Sequence, residues 1–102
     1  MPIVHIVLVK VKDAVLNNGF EEFKDKCSQL KNVPVAAQKL QDHKWGPPAY
    51  PGRTQGYNWG LYSLFATRED YEVYRDDEEH KNFSKTVILP NADEVLAYDF
   101  EI

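Results

Sequence analysis

Ile3-Val4-His5-Ile6-Val7-Leu8-Val9-Lys10-Val11-Lys12 is the stretch on which the fold turns. In an extended chain successive side chains point to opposite faces. Ile3, His5, Val7, Val9 and Val11 therefore share one side, and Val4, Ile6 and Leu8 share the other. Both sides are predominantly apolar, which is the pattern of a strand covered on both faces. A layer of helices can cover one side only, so the other needs a second layer.

Working outward, Asn17 or Asn18 is placed to cap a helix in which Phe20, Phe23, Cys27 and Leu30 form a stripe. Val33-Pro34 breaks the chain, and a second strand is predicted from Gln38 to Trp45, polar enough to lie at an edge and stopped by Gly46-Pro47-Pro48. Gly46 to Gly56 contains three prolines and three glycines and reads as an ordered loop. Tyr57 to Phe65 is aromatic-rich and predicts a third strand. Thr67 followed by Asp70 resembles a capping box opening a short helix with Tyr71 and Tyr74 on its inner face. Asp76-Asp77-Glu78-Glu79 suits the positive end of a further helix, Pro90 ends it, and Glu94 to Ile102 alternates as a fourth strand.

The order β-α-β-β-α-β predicts an α+β domain over residues 1–102, with a ferredoxin-like, largely antiparallel four-stranded sheet and helices on one face. On the fourth strand Leu96, Tyr98 and Phe100 are apolar opposite Val95 and Ala97. The uncovered face then needs a partner, and a second copy is the simplest one. A homodimer joined through that face would close two sheets into an α/β barrel.

The composition narrows the function. Of 102 residues 43% are hydrophobic and 27% charged, which suits a globular chain. A net charge of -4 and the lack of a Lys/Arg cluster argue against a nucleic-acid partner. Lys10 interrupts the first apolar run far short of a membrane span, and the run has neither the basic start nor the cleavage site of a secretory signal. Cys27 is the only cysteine, so no intrachain disulfide forms, and a reducing compartment, the cytoplasm, is expected. No glycine spacing of the phosphate-binding kind is present, and consecutive acids at a helix start point in several directions and cannot converge on a metal. Neither a cofactor nor a metal is expected.

The residues resemble the stress-responsive dimeric A/B barrel family, and within it the plant polyketide cyclases. The resemblance spans almost the whole chain. It rests on His5 in the opening strand, Trp45-Gly46 ending the second and Gly56-Tyr57 opening the third, then on Tyr74, His80 and Phe83, and on the ending Tyr98-Asp99-Phe100. It implies a pocket between sheet and helices in which Tyr74 and His80 carry acid–base chemistry, with Asp99 as the matching aspartate and His5 as a pocket residue. Two pocket histidines of the cyclase are replaced here, by Trp59 and by Asp77.

Each candidate has a plainer reading beside it. His80 shares a helix stripe with Phe83 and Val87, so it is either a proton carrier or a core histidine bonded to a carbonyl. Asp99, on the strand face of Val95 and Ala97, is expected to orient the His80 ring and fix its tautomer. Tyr74 either stabilises an oxyanion or is a buried aromatic with a local hydroxyl bond. His5 is a pocket base or a structural histidine, and His43, on the same side by alternation, is a second cavity base or an exposed edge residue. Trp59 forms a flat wall for a ligand or fills the space a histidine would leave. Val7, Phe20, Phe23, Leu61 and Phe83 are expected as apolar walls. The leading expectation is a cofactor-independent cyclase or lyase acting on a small apolar or polyketide-like carbonyl compound. The alternatives are a noncatalytic stress-responsive dimer that binds a hydrophobic ligand, and a cofactor-free oxygenase.

Overall fold

A computed structural model describes all residues 1–102. Four strands, β1 (Ile3–Val11), β2 (Leu40–Gly46), β3 (Trp59–Phe65) and β4 (Ala92–Glu101), form one sheet in the order β2-β3-β1-β4. Every neighbouring pair is antiparallel. Five helices, α1 (Asp13–Asn17), α2 (Phe20–Ser28), α3 (Pro34–Lys39), α4 (Arg68–Asp76) and α5 (Glu78–Phe83), complete a ferredoxin-like α+β fold. None is long and apolar enough to cross a membrane.

The alternation of β1 is realised as the sequence predicts. Ile3, His5, Val9 and Val11 are buried on the helix-facing side. The register sets Trp59, Leu61, Ser63 and Phe65 of β3 on that side too, and all four are buried. Two apolar clusters share this layer. Ile3, Leu61 and Phe65 pack with Leu30, Val35, Ala36 and Tyr74 in the first, and Val9, Val11 and Trp59 pack with Phe23, Cys27 and Ile88 in the second. Burial of large apolar side chains, each contributing about 1.5–3 kcal/mol, holds the helices to the sheet.

The opposite face has no cover. Tyr62, Leu96, Tyr98 and Phe100 are exposed there, Tyr98 to 63%. Only Val4 on that side of β1 is buried, paired with Phe100 on one flank and Leu64 on the other.

Local differences from the sequence reading have physical causes. The helix expected to start at an Asn17 or Asn18 cap begins instead at Phe20, with Gly19 at a left-handed φ of 101° as its N-cap and no side-chain cap bond, and the short α1, which the sequence did not signal, precedes it. Pro34 opens α3 as its first residue, where a missing N–H loses nothing, so β2 begins at Leu40 rather than Gln38. Tyr57 and Asn58 precede β3 rather than belonging to it. Asn58 ties down by its side chain, accepting from the Val11 N–H at 2.8 Å and donating to the Val11 carbonyl at 3.2 Å. Beyond α5 the chain widens into a single π turn, Ser84–Ile88, before a tight turn over Leu89–Asn91 leads into β4.

Candidate active site

The β1 register sets His5 directly opposite Asp99 on β4 and Ser63 on β3. The Ser63 hydroxyl donates to the His5 carbonyl at 2.9 Å, which fixes the backbone, while the His5 ring turns to the carboxylate. His5 Nδ1 pairs with Asp99 Oδ1. The Tyr71 hydroxyl donates to the other oxygen, Oδ2, at 3.4 Å, and the Tyr71 ring lies 4.9 Å from the imidazole. Burial, and then the charge of Asp99, push the Tyr71 phenol up to about 12, so it stays a donor.

Tyr74 and His80 are delivered by consecutive helices. Thr67 caps α4, its hydroxyl accepting from the Asp70 N–H at 3.1 Å, and Tyr74 follows on the inward stripe, 1% exposed. Asp77 caps α5 by accepting from the backbone N–H of His80 at 2.9 Å. The sharp corner between the two helices lays the His80 ring against that of Tyr74, with centroids 3.9 Å apart. Burial raises the Tyr74 phenol well above its ordinary value, and the neighbouring Tyr71 adds to this. Burial lowers His80 below its ordinary value; the carbonyls of Arg75 and Tyr74 oppose that shift and His5 reinforces it. His80 Nδ1 is buried without a hydrogen-bond partner. A neutral imidazole therefore sits beside a protonated phenol.

Between these side chains and the sheet lies a cavity of about 200 Å³. His5, Val7 and Leu61 form its floor, and Tyr74, His80 and Phe83 its roof. Trp45 closes one flank; Val95 and Ala97 of β4 face Ser84 and Ile88 of the π turn on another. Trp45, Ser84 and Ile88 join the walls without having been expected there, yet alternation from His43 already set Trp45 on this side of β2. The π turn had no signal in the sequence.

The remaining candidates lie elsewhere. Asp99 stands behind His5 and opens into an outer groove with Arg68, Tyr71 and Arg75, so it orients His5 and not His80. Trp59 is 6% exposed within the second cluster, stacked on Trp45 at 6.2 Å and met edge-on by Phe20 at 5.5 Å. Phe23 belongs to the same cluster, and neither it nor Phe20 reaches the cavity. His43 is half-buried on the helix-facing side of edge strand β2, opposite Ser63, and does not line the cavity. A larger recess, about 440 Å³, lies beside the loop of Pro47, Pro48, Arg53 and Tyr57 and is bordered by Leu8 and Leu96 of the uncovered face. It contains no acid–base pair.

The fold and the stacked imidazole and phenol define a small α+β domain with a largely apolar cavity between sheet and helices. Residues 3–102 match the stress responsive A/B barrel domain family, and the chain belongs to it. Among solved structures it is similar to a hydroxynitrile lyase from Passiflora edulis, with 19% identity and a TM-score of 0.80 over 99% of this chain and 93% of that one. A protein from Arabidopsis thaliana shares 25% identity at a TM-score of 0.80, covering 98% and 94% of the two chains. A dimeric ferredoxin-like protein of unknown function from Thermobifida fusca shares 22% at a TM-score of 0.75, covering 100% and 92%. No curated protein sequence matches the chain.

Proposed function

We infer that the chain is one half of a homodimeric α/β barrel whose cavity performs cofactor-independent acid–base chemistry, of the lyase or cyclase kind, on a small and largely apolar carbonyl compound. The observation that carries this reading is His80: a buried imidazole held toward its neutral form and stacked on Tyr74 at the cavity wall. A neutral imidazole is a base near physiological pH. Tyr74, kept protonated by burial, is a donor for oxygen charge that develops on a carbonyl. A hydroxynitrile lyase, the activity named for the Passiflora protein, needs a base for the hydroxyl proton and an acid for the leaving group, and one imidazole can serve as both in turn.

Size separates the lyase and cyclase versions. The sequence resembles olivetolic acid cyclase, but pockets for drug-sized ligands run to about 300–1,000 Å³. About 200 Å³ suits a single ring or a short aldehyde better than an extended polyketide. Trp59 keeps the space small by backing Trp45. That packing also favours the second reading, a dimer that binds a hydrophobic ligand without turning it over.

The homodimer reading draws on the exposed Leu96, Tyr98 and Phe100 and on the relatives described as dimeric. A cytoplasmic setting accords with the single, buried thiol of Cys27. The test is turnover of a panel of aromatic and aliphatic cyanohydrins and of short β-keto compounds, measured for the native chain and for His80→Asn. Activity lost in the variant while the dimer stays folded supports catalysis. Full activity in the variant overturns the mechanism, and binding without turnover in the native chain establishes the second reading.

A further inference from the structure

The cavity contains a second imidazole whose polarity is already set. His5 and Asp99 face each other across the β1–β4 ladder, and the ring nitrogen that meets the carboxylate is Nδ1. An ionised carboxylate only accepts hydrogen bonds, so the hydrogen is on Nδ1. The other carboxylate oxygen is taken by the Tyr71 hydroxyl, which leaves Asp99 little freedom to turn away. With Nδ1–H committed, the lone pair of the ring's neutral form falls on Nε2. No group of the protein is bonded to that nitrogen, and His5 lines the cavity floor.

We propose that the cavity selects ligands carrying a hydroxyl, such as a phenol, an enol or an α-hydroxy compound, because Asp99 holds His5 in the tautomer that presents Nε2 as an acceptor. Asp99 is thus a positioning residue that acts through His5 from outside the cavity, since its own carboxylate faces the outer groove with Arg68 and Arg75. The remaining walls, among them Val7, Leu61, Phe83 and Ala97, suit the apolar body of such a ligand. A ligand lacking the hydroxyl would leave Nε2 dry and unpaired, which is the situation in which sites discriminate most strongly. The inference rests on the proposed reading for the location of the ligand, and it narrows the substrate class to hydroxyl-bearing molecules.

Phenol and its methyl ether anisole are the probes, since both are small enough for the cavity and differ by one hydrogen-bond donor. Two-bond nitrogen–proton correlation spectra of the ligand-free chain should show His5 protonated on Nδ1. Titration followed by the fluorescence of Trp45, which lines the cavity, and by the His5 Nε2 shift should give phenol an advantage of about tenfold, the worth of one hydrogen bond of ~1.4 kcal/mol. Asp99→Asn, whose amide can donate to Nδ1 and invert the tautomer, should cut that advantage to about twofold or less, and Asp99→Ala should reduce it as well. Protonation on Nε2 in the native chain, equal binding of the two probes, or binding of neither overturns the proposal. Failure of the catalytic reading is separable, because it appears as absent turnover while the preference for phenol persists.

Discussion

The His80 imidazole lies 3.9 Å, centroid to centroid, from the ring of Tyr74, inclined to it by 32°. The two side chains come from helices joined at one residue, Asp77, which ends α4 and caps α5. This corner is what brings two separate inward stripes together as one stacked pair. Burial then acts on the two groups in complementary ways, lowering the imidazole and raising the phenol. Each ends in its neutral form, which is the form general acid–base chemistry on a neutral carbonyl requires.

Tyr74→Phe retains the ring and its stacking while deleting the donor. For a substrate turned over by the native chain, kcat is expected to fall by about 10²–10³, the loss typical of one oxyanion donor, with KM changed much less. Steady-state kinetics measure this split. A rise in KM with kcat intact would place Tyr74 in ground-state binding instead.

His80 also predicts an acid sensitivity. Its folded pKa lies below its ordinary value of 6.5, so between the two the unfolded chain binds more protons than the folded one, and stability falls as the pH drops below about 6.5. Above 6.5 the group is neutral in both states and adds no pH dependence. Thermal melts between pH 8 and 5 should therefore show a shallower decline in Tm for His80→Asn than for the native chain. Parallel curves would contradict a desolvated, neutral His80.

Asp77 is the position where the sequence resemblance leads one to expect a pocket histidine, and the structure gives it a mechanical task. Its carboxylate accepts from the His80 N–H at 2.9 Å. Asp77→Ala should destabilise the chain by about 1 kcal/mol through loss of the cap and should lower kcat further by loosening the turn that carries His80. Asp77→Asn, another good capping residue, should recover most of both losses. Urea unfolding, with the midpoint moving and the slope constant, measures the first effect.

What the sequence made legible follows from which forces act locally. The two-sided pattern of β1, the stripe through Phe20, Phe23 and Cys27, and the Thr67 cap are statements about neighbours in the chain, and they survive in the fold. The element order, and hence the ferredoxin-like sheet, can be read from them. α3 cannot, because Pro34 is both a breaker and a good first helical residue, and five further residues carry no periodicity that distinguishes the two. The partner of Asp99 is hidden for a different reason. Both His5 and His80 lie on the helix-facing side of the sheet, and only the β1–β4 register decides that Asp99 meets His5 rather than the expected His80. Trp59 is open between wall and filler in the sequence; it stacks on Trp45 in the second cluster and borders the larger recess beside the Pro47–Tyr57 loop, not the cavity of His80.

Cys27 is completely buried beside Trp59, and burial pushes its thiol up to about 11, an effect that the Trp59 side chain partly opposes. Thiolate is the reactive form, so modification by a disulfide reagent at pH 8 should be limited by opening of the fold. The rate is expected to be at least about 1,000-fold slower in buffer than in denaturing urea. It should rise about fivefold in Asp77→Ala, the exponential consequence of about 1 kcal/mol of lost stability. Fast labelling of the native chain would show that the second cluster opens locally.

The uncovered sheet face gives the last prediction, and it couples assembly to the cavity. Leu96, Tyr98 and Phe100 project from one side of β4, while Val95 and Ala97 line the cavity from the other. β4 is an edge strand paired with β1 alone, so its position depends on what covers its apolar side. Tyr98→Asp would bury an unpaired carboxylate in the proposed dimer interface, at a cost of several kcal/mol, and should weaken association by about 100-fold or more. Sedimentation should then detect a monomer whose far-ultraviolet spectrum is unchanged. Without its cover β4 should exchange its amide hydrogens faster than β1 and β3, and because it forms one wall of the cavity, phenol affinity should fall with it. A monomeric variant with native β4 protection and native affinity would separate the two faces; loss of both together would show that the cavity is completed by the partner.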